Sequence, residues 1–109
     1  MFNIDADTST MTIVRKDTAS FDVALENYNL DSGDTVVFTV AKGLEQPTPA
    51  LQITVSEFLN GTAIFTITSE DSNLDIGTYY YDIQVNTRDG RVDTIVGPAK
   101  FKVIGGVTY

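Results

Sequence analysis

The segment Asp75-Ile76-Gly77-Thr78-Tyr79-Tyr80-Tyr81 constrains the fold more than any other stretch of this chain. An acidic residue and a glycine lead into a run whose alternate members, Tyr79 and Tyr81, face one side of a strand while Tyr80 faces the other. This is the layout of a tyrosine corner, in which the first inward tyrosine hydroxyl bonds back to backbone a few residues upstream. Where antibody-type domains place a cysteine two residues further on, this chain has Tyr81, so an aromatic ring stands in for a disulfide. The chain holds no cysteine, and its fold must rest on packing.

Period-2 alternation recurs along the whole chain and helical periodicity is nearly absent. Phe21, Val23 and Leu25 alternate with Asp22, Ala24 and Glu26, and Val36, Phe38 and Val40 alternate with Val37 and Thr39. Leu51, Ile53 and Val55 follow, then Ala63, Phe65 and Ile67, then Tyr79, Tyr81, Ile83 and Val85, and finally Phe101 and Val103. A further strand around residues 10–14 is expected at a sheet edge. Each segment has one apolar face, the requirement of two antiparallel sheets packed together. With the tyrosine segment, this predicts an all-β chain: an immunoglobulin-like antiparallel β-sandwich of seven to eight strands, one domain over residues 1–109. The punctuation agrees. Turns are expected at Asp31-Ser32-Gly33-Asp34, and type I′ hairpin turns at Asn60-Gly61 and Asp89-Gly90. Pro47 and Pro49 break the chain, and Gly97-Pro98 marks a bulge that splits the last strand. One helix-like turn is expected over residues 69–74, capped by Thr68 or Ser69.

A net charge of −8 argues against binding phosphate backbones, so nucleic acid is not an expected partner. No stretch approaches membrane-spanning length and the first residues lack the basic and apolar parts of a signal peptide, so the reading is a soluble chain made in a cytosol. The charge is uneven. From Gly43 to Thr87 there is no Lys or Arg, whereas Arg88, Arg91, Lys100 and Lys102 follow against only Asp89 and Asp93. A solvated acidic surface is the simpler reading; the sharper one is an acidic face on one subunit docking a basic edge of the next.

Catalysis finds little support in the residues. The chain has no histidine and no cysteine, which removes the commonest base and the thiol nucleophile, and no serine lies in a Gly-x-Ser-x-Gly turn. Asp31 with Asp34, or Glu70 and Asp71 with Asp75, would offer oxygens to calcium, but turn and cap roles account for these acids. The expectation is therefore no enzyme, no cofactor and no metal. Asn60-Gly61-Thr62 matches a glycosylation sequon and is read as a turn. Tyr28 and Tyr80 are the aromatic residues expected on the surface, available to a neighbouring subunit or a sugar.

Several segments resemble small Ig-like domains of bacteriophages and prophages of Gram-positive bacteria. The run Ile13-Val14-Arg15-Lys16-Asp17-Thr18-Ala19-Ser20-Phe21-Asp22-Val23 is similar to their opening strand pair, with Lys16 where glycine often precedes Asp-Thr. Ser32-Gly33-Asp34-Thr35-Val36-Val37-Phe38-Thr39-Val40 resembles their Gly-Asp-x-Val-x-Phe-Thr-Val strand, and Ser69 to Leu74 with Gly77 to Ile83 resembles their Gly-x-Tyr-x-Tyr-Asp-Ile block. The close, from Thr94 through Phe101-Lys102-Val103 to Thr108, matches as well. The N-terminal domain of baseplate upper proteins is of this kind. The resemblance implies a non-enzymatic virion module of tail or baseplate, with other virion proteins or further copies of itself as partners. Asp75, Gly77, Tyr79 and Tyr81 would be structural, and Tyr28 and Tyr80 surface contacts. A carbohydrate- or cell-surface-binding Ig-like module is the alternative.

Overall fold

The computed structural model describes residues 1–25, 33–44 and 48–108 and is all-β, with no helix among them. Eight strands follow in order: β1 (Phe2–Ile4), β2 (Met11–Val14), β3 (Ala19–Ala24), β4 (Thr35–Ala41), β5 (Leu51–Val55), β6 (Thr62–Ile67), β7 (Gly77–Asn86) and β8 (Val92–Ile104). Six of them form a curled sheet in the order β1-β2-β8-β7-β4-β5, and β3 pairs with β6 in a second sheet. Among the described residues all ladders are antiparallel except that of β2 on β8, which runs parallel from Met11↔Phe101 to Val14↔Ile104.

The alternating apolar residues become a single core between the two sheets. Val36, Phe38 and Val40 of β4 and Tyr79, Tyr81, Ile83 and Val85 of β7 point inward, as do Phe101 and Val103 of β8, and all are buried. From the other sheet come Phe21 and Val23, with Ala63, Phe65 and Ile67. Phe38 sits at the centre. Its ring meets Phe21 edge-on at 5.2 Å between centroids, and contacts Phe65 at 5.9 Å, Tyr81 at 5.6 Å and Phe101 at 6.1 Å. Phe21 and Phe65, opposite each other in the β3–β6 ladder, stack at 5.3 Å. Offset and edge-on rings at these separations add about 0.5–1.5 kcal/mol per pair beyond the area they bury.

Several turns differ in detail from the expectation. Asn60 and Gly61 both have positive φ, at 52° and 72°, as a type I′ turn requires. Yet the turn closes only the single bridge Leu59↔Thr62: β5 pairs with β4 in one sheet and β6 with β3 in the other. Alternation records that one face is buried and carries no information on which layer a strand joins. Asp89-Gly90 lies in a longer loop, where the Thr87 amide bonds to the Arg91 carbonyl at 2.8 Å and only Gly90 has positive φ. Strand β2 is not an edge strand, because the chain before it folds back as β1 and covers that side.

The helix-like segment is one hydrogen-bonded turn. The Ser72 amide donates to the Thr68 carbonyl at 3.1 Å, while Thr68 and Asp71 exchange reciprocal side-chain to backbone bonds at 3.0 and 3.1 Å. Ser72 is fully buried, and its hydroxyl donates to the Asp17 carbonyl at 2.6 Å, tying this turn to the β2–β3 connection. At Gly97-Pro98 strand β8 bulges without splitting. Tyr81 pairs with Ala99 and Ile83 with Val96, so three steps of β8 oppose two of β7.

Candidate functional site

The tyrosines of β7 sort by parity into two roles. Tyr79 and Tyr81 are each 3% exposed, whereas Tyr80 is 37% exposed on the outer face of the six-stranded sheet. The Tyr79 hydroxyl donates to the Asp75 carbonyl at 2.7 Å, bracing the segment that enters β7 at Gly77. The Tyr81 hydroxyl donates to the Ser9 carbonyl and so fastens the β1–β2 turn to the core. Burial pushes both phenols above their ordinary pKa, and for Tyr79 the nearby Asp75 carboxylate adds to the effect. Tyr79→Phe deletes one part-buried hydrogen bond and is expected to cost about 1 kcal/mol, measured by urea unfolding. A cost below the error of the extrapolation would remove the corner bond from the account of stability.

Tyr80 borders a hollow on the outer face, which has a volume of about 200 Å³. Thr39 and Asp82 face each other across the β4–β7 ladder and form part of its wall, with Leu44 and Pro98 at other sides. Asp82 is half-buried, and this desolvation raises its carboxyl above the usual range. The β8 bulge leaves Asp82 without a Cα partner on that strand. On the same face, β8 presents Lys100 opposite Tyr80 and Lys102 opposite Thr78, both exposed.

The other residues singled out in the sequence are placed apart from this hollow. Tyr28 and Asp31 lie outside the described residues. Asp34 is buried and accepts a hydrogen bond from the Arg88 amide at 2.9 Å, which ties the entry to β4 to the β7–β8 loop rather than closing a local turn. Glu70, Asp71 and Asp75 do not converge: among the described residues no three acidic groups are placed to hold a metal ion. Glu57, Glu70 and Asp75 belong to the connections before β6 and β7 while Asp82 is mid-strand, and Glu45 lies outside the described residues. Sequence reasoning identified Tyr80 but missed Asp82, although Tyr80-Tyr81-Asp82 puts both on one face by parity. Leu44 had no such signal, because only the fold brings the β4–β5 connection alongside β7.

Among known families, the model described as Pertactin matches residues 9–94, well over half of the chain. No curated protein matches at a significant level. The matched family is one of bacterial autotransporter β-helix proteins. A β-helix is built from parallel ladders, whereas the described residues here form two sheets with five of six ladders antiparallel. The shared sequence pattern therefore accompanies a different strand arrangement, and by the span of the match the chain belongs to the Pertactin family.

Proposed function

We propose that this chain is a non-enzymatic structural module of phage or prophage particles, an Ig-like β-sandwich of tail or baseplate that works through protein–protein contacts. It is made in the bacterial cytoplasm and built into the virion, with other virion proteins or further copies of itself as partners. The strand order supports the Ig-like reading. A sheet ending in β7, β4 and β5 faces the β3–β6 pair, and a tyrosine opening β7 bonds back to the chain before it. The observation that carries the assembly reading is the two-stranded sheet. Among the described residues β3 and β6 pair only with each other, so each keeps one unpaired backbone edge. The apolar side chains of Ile64, on the outer face of β6, and of Leu59, just before that strand, are 44% and 65% exposed. A free edge with apolar neighbours is a template for strand addition in a symmetric assembly.

Mass spectrometry of particles released by prophage induction tests this reading. The chain is expected at a fixed, multi-copy ratio to the tail proteins. Intact, infectious particles that lack it would overturn the assignment.

A further inference from the structure

The hollow of the outer face lies beside the β8 bulge, with Pro98 in its wall. β-Bulges are frequent next to functional sites, where they re-aim a side chain. Here the bulge requires glycine: a Cβ on residue 97 would lie 2.6 Å from the Tyr81 carbonyl oxygen. Its effect is to leave Asp82 without a Cα partner on β8 and to set Pro98 at the wall of the hollow. We propose that this hollow is a subsite for a single ring of a neutral sugar, with Tyr80 as its stacking platform and Asp82 and Thr39 as its hydrogen-bonding groups.

The chemistry of the walls selects that class. Tyr80 offers a half-exposed aromatic face, and Leu44 and Pro98 offer apolar surface to the C–H side of a ring. The Asp82 carboxylate makes no hydrogen bond among the described residues and accepts from hydroxyls. The Thr39 hydroxyl already accepts from Gln52 Nε2 at 3.1 Å, which leaves its own proton to donate. The face carries one charge of each sign and so favours neither ion class: Asp82 sets a penalty on a phosphate or sulfate, and Lys100, opposite Tyr80 on the same face, sets one on a compact cation. A neutral polyol meets neither penalty and finds a donor and an acceptor. The volume of about 200 Å³ lies below the roughly 300–1,000 Å³ of clefts that take drug-sized ligands, which limits the subsite to one ring.

So few contacts give weak binding, with Kd in the millimolar range, about −4 kcal/mol. The test is a ¹⁵N chemical-shift titration of the full chain with a panel of neutral monosaccharides: glucose, galactose, rhamnose and N-acetylglucosamine. The expected result is saturable shifts confined to Thr39, Leu44, Tyr80 and Asp82 for at least one sugar. In Tyr80→Ala and in Asp82→Asn, with the remaining spectrum unchanged, the affinity is expected to fall by about tenfold or more, the loss of one good contact. Absence of saturable shifts with every sugar overturns the proposal, and so does binding that both variants retain. Either failure leaves the assembly reading standing, since that rests on the composition of particles.

Discussion

Phe38→Ala is expected to remove most of the stability of the fold. The side chain is fully buried and its ring contacts Phe21, Phe65, Tyr81 and Phe101, so it joins both sheets at once. Truncating a buried phenylalanine costs about 3–5 kcal/mol, the lost transfer energy plus the cavity left where neighbours cannot collapse. Here collapse is opposed by the ladders on both sides of β4, which hold its backbone between β5 and β7. Against a total of about 5–15 kcal/mol for a single domain, this leaves a marginal native state. Thermal and urea unfolding of the variant should show a melting point lower by more than about 10 °C, with the urea midpoint moved in parallel. Phe38→Leu, which keeps much of the volume, should lose less than half as much. A loss under about 1 kcal/mol for the alanine variant would mean that the two sheets do not share this core.

The second large effect is expected at Gly97. Its φ of +93° is one that residues with a Cβ rarely adopt, and the added carbon would meet three backbone atoms: the Tyr81 carbonyl oxygen at 2.6 Å, the Asp82 Cα at 3.1 Å and the Ala99 nitrogen at 3.2 Å. None of these is the end of a flexible side chain, so relief requires the β7–β8 ladder to move. Strain of the backbone angle alone costs about 1–3 kcal/mol, and the contact adds to it, so Gly97→Ala should lose at least about 3 kcal/mol. Gly61→Ala is the matched control. Gly61 also has positive φ, at +72°, but its Cβ would meet nothing within 4 Å, so only the conformational cost remains, about 1–2 kcal/mol. Equal losses for the two variants, measured by urea unfolding, would show that close approach at the bulge contributes nothing.

Much of this could be read along the chain because it depends on near neighbours. The inward set Phe21, Phe38, Phe65, Tyr79, Tyr81 and Phe101 follows from parity, and every member is buried. The positive φ of Asn60 and Gly61 follows from the residue types that tolerate it. A hydroxyl cap for the turn before β7, at Thr68 or Ser69, follows from residue type, and the structure selects Thr68 through its reciprocal bonds with Asp71. The candidate site was legible only in part. Parity exposes Tyr80 and Asp82 together, but the hollow between them needs Leu44 from another connection and Pro98 from another strand.

The amino-acid order by itself thus determined that the chain is all-β, which side chains form its core, and where several of its turns reverse. Only the tertiary structure decided that β5 and β6 belong to different sheets, that β2 runs parallel to β8 under a covering β1, and that the β8 bulge opens a hollow beside Asp82. The division has one physical cause. A period of two is set by the pleat of a single strand and is written in adjacent residues. The partner of each strand is set by contacts between residues far apart in the chain, where many pairings satisfy the same alternation and packing around Phe38 selects among them.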